Sequence, residues 1–166
     1  MKTMTMLGPG IVGLVLLAGT GARADHLVFD AEVQAGNSKK KCTGDVAALG
    51  VKPKPREVFE VPANKPITVK WTVSHAGNKD VLKDVVIHFF VVKEPKAGQV
   101  AVPKLDRDVA VESALTMDFK PKDKQSGELT FQIDAPGTYL LRVESIGAAT
   151  GIDGHEDFAA MDLVVK

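Results

Sequence analysis

Four histidines, one cysteine and a late methionine are the residues in this 166-residue chain best suited to hold a metal or carry reactive chemistry. His75 follows an alternating run, His88 sits inside a second, and His155 lies in a glycine-rich stretch with Asp153, Glu156 and Asp157. Imidazole and carboxylate groups of this kind suit copper or zinc. His75, His155 and a carboxylate are one candidate set. No H-x-H or H-x-x-x-H pair accompanies them, so the chain carries no compact metal motif. His88 is flanked on its own strand face by Val86 and Phe90, which favours a buried histidine with a hydrogen-bond partner. Met161 alternates in step with Leu163 and Val165, which favours core packing. Cys42 follows Lys39-Lys40-Lys41, whose positive field should favour its thiolate, so it is the candidate reactive thiol. The Lys run itself reads as a solvated loop. His26, next to the expected mature N-terminus, offers an amine and imidazole for weak Cu(II) binding, set against terminal disorder.

The elements that must position these groups read as strands. Apolar residues alternate over His26–Val33, Glu57–Val61, Ile67–His75, Val85–Val92, Val109–Phe119, Gly127–Ile133, Tyr139–Glu144 and Phe158–Val165. Ile67, Val69, Trp71 and Val73 share one face of their run, and Thr68, Lys70 and Thr72 share the other. Val85–Val92 is apolar on both faces, as a strand inside its sheet must be. No run of ten residues has helical period; Asp45–Leu49 offers one turn at most. About seven to eight strands separated by Pro, Gly, Asn and Lys predict an all-β, Greek-key β-sandwich. Asp134-Ala135-Pro136-Gly137-Thr138-Tyr139 predicts a corner in which the Tyr hydroxyl returns to the turn backbone.

Composition narrows the function classes. Lys2 and Arg23 are the only charged residues among the first 24, which leaves 19 basic and 21 acidic groups in residues 25–166. That balance lacks the basic excess of a nucleic-acid binder. The positive start, the uncharged run Met6–Ala18 and the small-x-small Ala22-Arg23-Ala24 predict a signal peptide, residues 1–24, cut before Asp25. The expected product is exported, periplasmic or extracellular, with a single β-sandwich domain over 25–166 and no membrane insertion after signal removal. A single Cys makes no internal disulfide, so packing alone must hold the core. No nucleophile elbow, phosphate loop, H-E-x-x-H or dinucleotide fingerprint occurs, and the expectation is that the protein is not an enzyme.

The order Val58-Phe59-Glu60-Val61, Ile67–Val73 with Trp71, Ile87-His88-Phe89-Phe90, the Ala135–Tyr139 corner, Gly154-His155 and Met161–Val165 resembles the cupredoxins. These are small exported Greek-key sandwiches that hold one copper, and the resemblance covers about Glu57 to Lys166. It implies a cupredoxin-like sandwich, with an immunoglobulin-like one the alternative, and His88 as the first copper ligand, His155 as the second and Met161 as the axial one. The family's Cys would fall at Val143, so the thiolate that defines a blue copper centre is missing. The loops after Trp71's strand and after Tyr139's strand should emerge at one end, bringing His75 and Asn78 near Asp153, His155, Glu156 and Asp157. Were the strands Ile67–His75 and Val85–Val92 a hairpin, His75 and His88 would stand ~10 Å apart, at ~3.3 Å per residue. The functional expectation is a non-catalytic binding or interaction module whose end loops meet an unknown protein or small ligand. One alternative is a periplasmic copper-binding protein using His and Met ligands without a thiolate, with copper as its possible cofactor. The other is a structural exported protein that pairs through a sheet edge.

Overall fold

The computed structural model describes residues 27–44, 54–77, 81–99, 108–146 and 157–166. Ten strands follow in chain order: β1 (Leu27–Ala35), β2 (Ser38–Lys41), β3 (Thr43–Gly44), β4 (Glu57–Val61) and β5 (Ile67–His75). Then come β6 (Leu82–Glu94), β7 (Val109–Phe119), β8 (Lys124–Phe131), β9 (Gly137–Ile146) and β10 (Phe158–Val165). They form a four-stranded sheet, β2-β1-β5-β8, and a six-stranded sheet, β3-β10-β9-β6-β7, with β4 parallel to β10. The chain is an all-β sandwich. Each of the eight alternating runs holds a strand, although β8 stops at Phe131 rather than Ile133, and β2 and β3 add two short ones. Lys39-Lys40-Lys41 therefore lies in β2 rather than in a loop: Gly36, at φ 57°, turns the chain back so that Ser38–Lys41 pairs with β1.

Alternation accounts for the four-stranded sheet. Ile67, Val69, Trp71 and Val73 of β5 are buried, and so are Leu27, Phe29, Ala31 and Val33 of β1. The solvent face carries cross-strand pairs instead: Thr68–Thr130 at 2.9 Å, Thr72–Ser126 at 3.0 Å and Lys70–Glu128 at 3.5 Å. Such exposed pairs are worth ~0.2–1 kcal/mol each, so register here is held mainly by the buried side. Between the sheets, Phe29, Val69 and Trp71 meet Ile87, Phe89, Leu141, Met161 and Leu163 in one core.

The central strands of the six-stranded sheet, β6, β9 and β10, are buried on both faces. Ile87, Phe89 and Val91 of β6 point inward, while Phe90 and Val92 join Leu140 and Ala160 in a second apolar cluster outside. β6 runs between β9 and β7, as its two-sided apolar pattern requires. The corner also forms: the Tyr139 hydroxyl donates to the Ala135 carbonyl at 2.9 Å. Around the sandwich the order is β9-β6-β7-β8, three successive strands with the fourth returning beside the first, which is a Greek key. β7 and β8 lie next to each other in that order but in different sheets, and no ladder joins them.

Candidate functional site

β5 belongs to the four-stranded sheet and pairs with β1 and β8, so it makes no hairpin with β6. His75 and His88 are thus carried by different sheets. His88 points to the outer face of the six-stranded sheet, opposite Glu144 of β9. Its Nε2 lies 2.9 Å from Glu112 Oε1 and its Nδ1 3.4 Å from Glu144 Oε1. Arg142 bonds Glu144 through Nε and lies 3.9 Å over the Phe158 ring. His88 is 6% exposed and sits in the buried, hydrogen-bonded role that its apolar flanks suggest.

Met161 pairs with Leu141, which pairs with Val91, and all three are inward residues of the core. His88 lies in the opposite row, with Glu144 and Phe158. Because successive strand residues alternate faces, His88 and Met161 are on opposite sides of one sheet and cannot ligate one ion. Val143, where the resemblance would want a thiolate, is a fully buried core residue. The residues present do not fit the copper site that the resemblance implies. Around His88 the two carboxylates approach different ring nitrogens, so their oxygens do not converge with the imidazole on a common point. Among the described residues no group of three His, Cys, Asp or Glu is placed to hold a metal.

His75 closes β5 opposite Leu27, with its Nδ1 3.0 Å from the Lys120 carbonyl. Asp157 comes to the same end: its carboxylate accepts from the Leu27 N–H at 2.8 Å and its carbonyl accepts from the Ser145 N–H at 3.0 Å. The ends of β5 and β9 therefore do emerge together. Both named residues, however, are 2% exposed. Asp157 ties β1 to the start of β10 rather than presenting a carboxylate to a partner. Asn78, Asp153, His155 and Glu156 lie outside the described residues.

Cys42 also departs from its expected chemistry. The thiol packs against the core, and burial, with the nearby Asp30 carboxylate adding, pushes it up to about 12. The lysines beside it are spent elsewhere: Lys40 pairs with Glu57 at 2.8 Å and Lys41 with Asp30 at 3.6 Å. A thiol so raised stays protonated and is a poor nucleophile at neutral pH.

Two features had no legible signal in the sequence. The first is a buried charge cluster on the outer face of the six-stranded sheet, spanning β10 to β6. Arg56 grips both Glu94 oxygens at 2.9 and 2.8 Å and bonds Asp162, which also accepts from the Gly98 N–H. Glu94 is pushed up to about 7, first by burial, with Arg56 opposing and Asp162 reinforcing the rise. These residues come from three separated stretches of chain, around 56, 94–98 and 162, so no local spacing marks them.

The second is a cleft of about 180 Å³ between β7 and β8. Trp71, Phe89 and Val143 form its floor; Ser113 and Leu115 of β7 and Leu129 of β8 form its walls. Gly127 is what lets the indole lie there, since a Cβ at 127 would stand 2.2 Å from Trp71 Cζ2. Leu115 occupies an inward row, opposite Ile87, yet is 47% exposed at the cleft that it lines. Small-ligand sites are concave and mostly apolar with a few polar groups, and here Ser113 is one such group.

No family model matches this chain, and no curated protein matches it. Among solved structures it is similar to the C-terminal domain of wzt, at 12% identity and TM-score 0.46, covering 82% of this chain and 70% of that one. It is also similar to the PmoD soluble domain from Methylocystis sp. ATCC 49242 (Rockwell), at 12% identity and TM-score 0.45, covering 86% and 92%. Likeness at this level bears no weight for function, and the sandwich described above stands on its own strand order. Among the described residues no helix is long and apolar enough to cross a membrane.

Proposed function

We propose that this chain is an exported, non-catalytic binding module of cupredoxin-like type without a type 1 copper site, and that it binds through the β7/β8 cleft. Residues 1–24 support export through their positive start, apolar run and Ala22-Arg23-Ala24. The observation that carries the binding site is Leu115, an inward-facing leucine left half exposed beside an indole floor. The groups that could do chemistry serve the fold: His88 and Glu144 pair within the sheet, Asp157 holds backbone, and Arg56, Glu94 and Asp162 neutralise one another. The cleft suits an apolar group of side-chain size or a small ring.

Trp71 is the only tryptophan, so its fluorescence reports on the cleft directly. Residues 25–166 should bind a neutral apolar fluorophore such as N-phenyl-1-naphthylamine saturably, with matching quenching of Trp71. Leu115→Asp should abolish that binding while the far-ultraviolet spectrum stays unchanged. Quenching that never saturates, or that Leu115→Asp leaves intact, removes the cleft from consideration. The copper reading retains only His75 with His155, supported by the position of His75 at the end where β9 finishes. One copper per chain retained through gel filtration, and lost in His155→Ala, would favour it over the cleft.

A further inference from the structure

We infer that the cleft between β7 and β8 takes a neutral, apolar, ring-sized molecule with one carbonyl-type acceptor, such as a ketone, ester or lactone, and that the Trp71 indole N–H selects it. This deepens the reading that the cleft is the binding site and rests on it. Trp71 faces inward from β5, opposite Gly127 of β8, and is 6% exposed. The indole edge against Gly127 is Cε2–Cζ2: a Cβ at 127 would stand 2.6 Å from the first atom and 2.2 Å from the second. Cε2 is the ring carbon bonded to Nε1, so the one polar atom of the side chain adjoins the edge that meets the cleft wall. Among the described residues nothing accepts from that N–H, and Nε1 is still open to solvent. Because the side chain lies between the sheets and lines the cleft, the cleft is where solvent reaches it.

Size, charge and hydrogen bonding each narrow the ligand. An apolar cavity of ~150 Å³ holds benzene, so about 180 Å³ holds a six-membered ring with one substituent. Ile87, Phe89, Leu115, Leu129 and Val143 offer that ring only carbon, and no Lys or Arg is among the described residues of the lining. Lys70 pairs with Glu128 at 3.5 Å on the opposite, solvent face of its sheet. A carboxylate or phosphate entering the cleft would therefore lose water without gaining a counter-ion. An ammonium has no acceptor to give the indole. In solution water satisfies the Nε1–H donor, and a pure hydrocarbon that displaces this water strands it, at a cost of about tenfold in affinity. A neutral carbonyl oxygen replaces the lost hydrogen bond and brings no charge. The Ser113 hydroxyl both donates and accepts, so it tolerates such a ligand without choosing it.

The test is NMR of residues 25–166 with three six-membered rings as probes. Cyclohexanone carries the acceptor, methylenecyclohexane replaces its carbonyl oxygen with a CH₂ group, and cyclohexanecarboxylate carries a charge. Methyl resonances of Leu115 and Val143 report occupancy, and the indole cross-peak of the only tryptophan reports the hydrogen bond. Cyclohexanone should shift both methyl sets saturably while the Nε1 proton stays downfield. Methylenecyclohexane should shift the same methyls while the Nε1 proton moves upfield, because nothing replaces the displaced water. The carboxylate should shift neither. In Trp71→Phe the ratio of ketone to hydrocarbon affinity should fall about tenfold, and taking the ratio cancels the different hydration of the two probes. If that variant does not fold, the spectra of the unsubstituted chain decide alone.

Methyl shifts with both neutral probes, but the same Nε1 position in the two complexes, overturn the inference and leave the cleft standing. Saturable uptake of the carboxylate overturns it as well, since the site then accepts charge. Methyls that respond to none of the three probes sink the cleft as the binding site and the inference with it.

Discussion

The two long sides of the sandwich solve the problem of a sheet edge in opposite ways. On one side the segment Ser38–Gly44 runs along β1 as β2 and then along β10 as β3. It changes sheets at Cys42, whose N–H donates to the Ala31 carbonyl at 2.8 Å. One piece of chain thereby satisfies both edges, and β4 adds a parallel partner to β10. Inward residues on that side, Val33 and Met161, are fully buried. On the other side β7 and β8 follow each other directly but each ends its own sheet. The core there shows a cleft and a half-exposed leucine. A strand that switches sheets shuts the core, and a hairpin split between sheets leaves a cleft.

The largest effect expected lies away from the cleft, in the charge cluster that ties β10 to β6. Arg56→Ala leaves Glu94 and Asp162 buried without their cation and should cost about 3–5 kcal/mol of unfolding free energy. Urea denaturation measures it, and a loss below that of any seam substitution would show that the sheet outside the seam is not the stronger part. At the open side Gly127→Ala should cost about 1–3 kcal/mol, the usual range for overpacking. Its Cβ would fall 2.2 Å from Trp71 Cζ2, so the indole must move, and the Trp71 emission should shift with the stability loss.

A smaller effect sharpens the account of the charge cluster. Glu94 rises from the ordinary 4.5 to about 7 in the folded chain. Between those values the folded state holds a proton that the unfolded state has released, so stability must fall as pH rises through that window and level off above it. The full span should amount to about 3 kcal/mol. Glu94→Gln should flatten the profile between pH 5 and about 7, and a variant that keeps the wild-type slope would assign the titration to another group.

Much of the architecture was legible because strands have a period of two. The runs at Glu57–Val61, Ile67–His75, Val109–Phe119 and Phe158–Val165 coincide with β4, β5, β7 and β10 end for end. The same parity placed Met161 in the core and His88 beside Val86 and Phe90. Three Lys in a row hid β2, since an edge strand outside the core needs no apolar alternation. The pairing of β5 was illegible for a related reason. Alternation tells which residues share a face and says nothing about which strand lies alongside, and β5 found β1 and β8 rather than its successor.

The cleft depends on facts no single stretch contains. Gly127 reads as a weak strand residue until Trp71 is found lying across it from β5. Cys42 reads as an activated thiol from its three Lys neighbours. In the fold those side chains reach Glu57 and Asp30 while the sulfur turns to the core, so burial outweighs the local field.

By itself the sequence determined the strand positions, the face each residue takes, the tyrosine corner and the expectation of export, because these depend on neighbours within a few residues. Tertiary structure alone decided which edges close, which charges neutralise one another and where an apolar surface stays open. Those outcomes depend on strands far apart in the chain, and long-range pairing is set by the packing of the whole core rather than by any local pattern.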